Sequence, residues 1–192
     1  MESPVPAIRW NEGFVRVLKK EGEESQSLFW LHNKSSIVAT RYNDYIQIPA
    51  IVLQTVTGFL SATSGLVPPL ALGAISVFTG VLSTLLSYYK FSAKAEGHKV
   101  VSQLYLKLYK KIEVELALPE SQRTDASTLL TEVREKLARI SEVAPELPES
   151  IILLYKKQFK DNKTAKPIIA NGLDSITPFE EKPEDQIRVT IR

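Results

Sequence analysis

Two histidines, His32 and His98, are the only residues in the chain with a side chain suited to catalytic proton transfer near neutrality, and there is no cysteine. No glycine-rich phosphate loop follows a strand, and no His, Asp or Glu spacing matches a metal site. The chain is therefore expected to be no enzyme and to need no cofactor. Each histidine lies roughly 30 to 35 residues from the middle of a long apolar stretch, so at about 1.5 Å per helical residue the two can sit at one height on paired helices. Packing within a stalk is the expected role, with a metal-binding or proton-sensing pair as the alternative.

The element that would pair them runs between Asp44 and Lys90, where no charged residue occurs, although charged residues make up 24% of the whole chain. About 45 residues stand there against roughly 20 for one helical crossing of a bilayer, which allows two crossings and a turn. Gly65 suits a left-handed helix end, and Pro68 and Pro69 suit the start of the next helix. The expected spans are 46–66 and 69–89, with Pro49 in the first turn of the first crossing or kinking it. A buried hairpin in a water-soluble core would need covering helices with broad apolar faces, and the flanks supply only narrow stripes.

Tyr42, Tyr45, Tyr88 and Tyr89 bracket the stretch as one aromatic belt. Lys34 and Arg41 precede it, Lys90, Lys94 and Lys99 follow it, and the connecting turn is uncharged, so both termini are expected on the cytoplasmic side. The first 44 residues lack the apolar core of a cleavable signal, so the first span is expected to act as its own insertion signal. The slightly basic balance, a net charge of +2, fits lysines near anionic lipid better than nucleic-acid binding, and no nucleic-acid partner is expected.

Small residues recur along both spans: Gly73, Ser76, Gly80, Ser83 and Ser87 in the second, and Gln47, Gln54, Gly58, Ser61 and Gly65 in the first. The expectation is a close helix-packing face. The alternative is that Gln47 and Gln54 line a polar path within an oligomer of this chain.

Outside the stretch a three-four rhythm predicts a helix from Leu28 to Tyr45 running into the first span, and a second through Val101, Leu104, Leu108, Ile112 and Leu116 to Pro119. A third helix is predicted from about Asp125 to Ser141, and Pro148 opens a short basic amphipathic segment. The fold class expected is all-α: a transmembrane hairpin continuing into a membrane-proximal helical bundle, with an extended C-terminal tail. The units are an N-terminal segment 1–26, a stalk with hairpin 27–118, a bundle 119–160 and a tail 161–192 that orders against a partner protein.

Three stretches, "NDYIQIPAIVLQTVTGFLS" (Asn43 to Ser61), "AEGHKVVSQLYLKLYKKIEVEL" (Ala95 to Leu116) and "APELPESI" (Ala144 to Ile151), together resemble the SLATT-type two-transmembrane proteins. There a hairpin is followed by an Ala-Glu-x-His helix and a later Ala-Pro-x-x-Pro break. The resemblance covers about residues 27–159 and implies that His98, Tyr105 and Glu113, with the Pro145/Pro148 break, are family features. Bacterial members look like membrane-perforating effectors of defence systems, and similar proteins occur in large DNA viruses whose capsids enclose a membrane. The long C-terminal tail departs from the effector pattern.

Two functional classes follow. One is a structural membrane protein whose hairpin anchors it while bundle and tail bind an overlying protein assembly, as a minor capsid-associated protein at a virion inner membrane would. The other is an oligomeric pore former.

Overall fold

The computed structural model describes residues 10–63 and 67–171, and all regular structure among them is helical. α1 is a single helix from Glu12 to Ala62, 51 residues long. α2 spans Pro69–Tyr89 and α3 spans Phe91–Ala117. A 3₁₀ turn at Glu120–Gln122 leads to α4 (Ala126–Val143), α5 (Glu149–Gln158) and the short α6 (Ile168–Asn171).

Local chemistry sets these boundaries. The Asn11 side chain accepts a hydrogen bond from the Phe14 amide at 2.9 Å and caps α1. Asp125 does the same for α4 through Thr128, and Pro148 precedes α5. Of the N-terminal segment expected at 1–26, residues 12–26 are part of the stalk helix, and residues 1–9 lie outside the described residues. Pro49 lies in the interior of α1 rather than in a first turn. It has no N–H to offer the Tyr45 carbonyl, yet the helix runs on through it.

One seam accounts for the pairing of α1. Leu18, Gly22, Ser25, Phe29, His32, Ser36, Ala39, Asn43, Ile46, Ala50, Leu53, Thr57 and Leu60 follow one another by alternating steps of four and three, and every one of them is buried or half-buried. That is the 3.5-residue period of helices that wrap as a coiled coil. The returning helices supply Leu72, Ile75, Thr79, Leu82 and Leu86 from α2, then Phe91, Ala95, His98, Ser102, Tyr105, Tyr109, Ile112 and Leu116 from α3. The step from Leu86 to Phe91 breaks the rhythm. Lys90 absorbs it in a left-handed conformation, φ 49 and ψ 42, the one positive-φ non-glycine among the described residues.

Below the hairpin, α4 packs on α3 and α1 over a core of Leu18, Val101, Tyr105, Leu108, Ile112, Leu129, Val133 and Ile140. α5 and α6 pack on the other flank of α1 with Leu31, Leu147, Ile151, Tyr155 and Ala170. The Tyr155 hydroxyl donates to Ser27 Oγ at 2.8 Å. Residues 161–171, expected as the start of an extended tail, are held against the bundle instead. The Ala165 amide donates to Glu23 Oε2 at 2.7 Å, and Ala170 is buried. Pro167 and Ala170 of this short run are buried while Ile168 and Ile169 stay exposed, an attachment that the absence of a period conceals. The remainder of the tail, 172–192, lies outside the described residues.

Candidate functional site: a histidine pair beneath an apolar hairpin

α1 and α2 are each long and apolar enough to cross a membrane, and only 6% of the apolar window in either is buried. No other element covers them among the described residues. Phe59 is 68% exposed and Leu70 87%. α2, at 21 residues, has a length of about 32 Å, close to the hydrocarbon thickness of a bilayer.

The two helices meet along the seam and not along the small-residue face. A Cβ added at Gly58, Gly73 or Gly80 would meet nothing within 4 Å. Ser61 and Ser76 are exposed and return their hydroxyls to their own helix, to the Thr57 and Leu72 carbonyls. Gly65 lies outside the described residues. The expected packing face is therefore corrected: in the hairpin those residues point outward. The physical reason is register. α1 is unbroken, so its hairpin face is dictated by the stalk below, which places Ile46, Ala50, Leu53, Thr57 and Leu60 inward. Ser83 is the exception, half-buried and accepting from Gln54 Nε2 at 3.3 Å. Both glutamines are exposed; Gln54 bridges the two helices through that bond, whereas Gln47 accepts from Asn43 Nδ2 of its own helix at 2.6 Å.

At the base of the hairpin the rings of Tyr42, Phe91, Tyr89 and Tyr88 form a chain of contacts at 5.8, 5.3 and 5.1 Å. Tyr45 stands apart, 75% exposed. Phe91 completes the group and was not among the sequence candidates, although its place beside Lys90 could have suggested it. Arg41, Lys90 and Lys94 are exposed around this level.

About 20 Å below Tyr45 along α1, His32 and His98 meet across the stalk. Their Nδ1 atoms are 2.9 Å apart, and the residues are 2% and 4% exposed. The Tyr105 ring stacks on His32 at 5.7 Å with 26° between the planes. One turn above, Ser36 Oγ donates to the Ala95 carbonyl at 2.8 Å. Only one proton can lie on the Nδ1–Nδ1 axis, so one neutral ring donates and the other accepts. Burial holds His32 down to about 4, with the neighbouring His98 adding to the depression. Burial also lowers His98, with Lys94 contributing, and raises the Tyr105 phenol. Both shifts favour the neutral rings at ordinary pH, with the two Nδ1 atoms satisfying each other inside the buried seam.

Two glycines do make close approaches, both in the stalk. A Cβ on Gly22 would lie 3.2 Å from Ile112 Cγ2, and one on Gly97 would lie 3.2 Å from Pro145 Cγ. Gly97 is where the Ala144–Pro148 break crosses α3 beside His98. No group of three or more His, Cys, Asp or Glu side chains that could hold a metal ion occurs among the described residues. No protein-family model, curated protein or solved structure matches the chain.

Proposed function

We propose that the chain is a two-pass integral membrane protein whose hairpin anchors a protein assembly to a bilayer, with both termini on the cytoplasmic or capsid-facing side. One observation carries this: α1 passes without a break from an uncovered apolar hairpin into a covered bundle. A single continuous helix of that kind ties the position of the bundle to the lipid. The histidine pair fastens α1 to α3 between the two environments. The resemblance to SLATT-type proteins, similar members of which occur in large DNA viruses, motivates a minor structural role at a virion inner membrane.

The outward position of Gly73, Ser76 and Gly80 favours a second function, an oligomeric pore, because small residues let helices of other copies approach closely. Dye release from liposomes separates the two. As an anchor, the reconstituted chain leaves vesicles sealed, and changing Gln47 and Gln54 to Leu alters nothing. Leakage that the intact chain causes and the double variant abolishes would overturn the anchor in favour of the pore.

A further inference from the structure

The outer surface of α5 and α6 combines exposed apolar side chains with a run of lysines. Leu153, Leu154, Ile168 and Ile169 are exposed, while Ile151, Tyr155 and Ala170 on the same elements face the core. Between them stand Lys156, Lys157, Lys160, Lys163 and Lys166, with Asp161 as the one acidic residue from 150 to 171. None of these lysines forms an ion pair among the described residues. Lys166 Nζ donates to the Lys160 carbonyl at 3.2 Å, which ties the two ends of the loop after α5 together. The loop backbone is fixed in turn by the Ala165 amide on Glu23.

The sequence that leaves this surface is its chemical complement. One residue after Asn171, the stretch "LDSITPFEEKPED" (Leu173 to Asp185) carries Asp174, Glu180, Glu181, Glu184 and Asp185 against Lys182 alone, with Ile176 and Phe179 among them. We propose that this acidic segment of the same chain docks on the lysine-bearing face of α5 and α6, its carboxylates against the ammonium groups and Phe179 against the exposed leucines and isoleucines. Reach is no obstacle, since 14 residues extend to about 45 Å and α5 is about 15 Å long. Attachment within a few residues of the surface gives the segment a high effective concentration there. A single exposed ion pair contributes little, so the interaction depends on several acting together with apolar burial, and it weakens with salt. The inference goes beyond the anchoring role and does not depend on it. An acidic partner protein binding this face would first have to displace the segment.

The chain has no native cysteine, which permits a direct test on the full-length protein. Spin labels at Gln158→Cys and Gln186→Cys are read by double electron–electron resonance. The expected result is one short, narrow distance at low salt. It broadens in high salt and in the variant Lys156→Glu/Lys157→Glu/Lys160→Glu, and it returns when Glu180→Lys/Glu181→Lys/Glu184→Lys is added to that variant. A distribution indifferent to charge reversal, or one that the swap does not restore, overturns the proposal. So does the same short distance between singly labelled chains mixed together, since the segment would then occupy a second copy.

Discussion

His32 and His98, 66 residues apart in the chain, are joined Nδ1 to Nδ1 at 2.9 Å inside the seam between α1 and α3. Protonating both rings would set two N–H groups head to head, so the pair is compatible with folding only while it holds at most one extra proton. His32 is depressed from 6.5 to about 4, and a depressed imidazole stabilises the fold fully above its unfolded value. Stability should therefore begin to fall as pH drops below 6.5 and continue falling until about 4, by about 1.4 kcal/mol per pH unit for this one group. Thermal unfolding across that range checks it. Changing both residues to Asn, which keeps a donor and an acceptor near the Nδ1 positions, should flatten the dependence.

Replacing His32 alone with Leu leaves the His98 nitrogen buried without its partner. The expected loss is about 1–3 kcal/mol, read as a lower midpoint in chemical denaturation at pH 7.5. A variant as stable as the parent would show that the hydrogen bond contributes nothing net.

The two kinds of glycine make opposite predictions. At Gly22 a Cβ already comes within 3.2 Å of Ile112 Cγ2, so Gly22→Val should overpack the stalk and cost about 1–3 kcal/mol. At Gly80 there is open space, and Gly80→Leu should leave the melting temperature of the isolated protein unchanged.

Arg123 closes the end of α3. Its Nε donates to the Leu118 carbonyl at 2.8 Å and its Nη2 to Leu116 at 3.1 Å, while the guanidinium lies 5.0 Å from the Trp10 ring centre. Lysine cannot reproduce the forked geometry. Arg123→Lys should lose about 1 kcal/mol, and the fluorescence of Trp10 should shift red as its neighbour withdraws.

Much of the architecture was legible from periodicity and from the placement of proline. The second span coincides with α2, the helix expected from about Asp125 to Ser141 is α4 at Ala126–Val143, and Pro148 opens α5. His32 and His98 do share a height. What misled was the hairpin interface. Small residues at alternating three and four look like a packing face wherever they occur, and in an apolar span several faces satisfy the same spacing. The deciding signal lay below the hairpin: counting upward from His32 in steps of four and three reaches Ile46, Ala50, Leu53, Thr57 and Leu60. The left-handed break at Lys90 had no local signature, because neither glycine nor asparagine stands there. The docking of residues 161–171 was hidden because its attachments, the Ala165 amide on Glu23 and Ala170 in the cluster that includes Leu31, are distant in sequence.

The central claim is that the hairpin lies in lipid while the same helix continues into water. Single spin labels along the outward side of α1, at Gln26, Thr40, Val52, Val56 and Phe59, test it in reconstituted bilayers through collision with oxygen and with a water-soluble nickel chelate. Labels at Val52, Val56 and Phe59 should be reached by oxygen and sheltered from nickel, and those at Gln26 and Thr40 should show the reverse. Nickel reaching Val56 as readily as Gln26 would contradict the account.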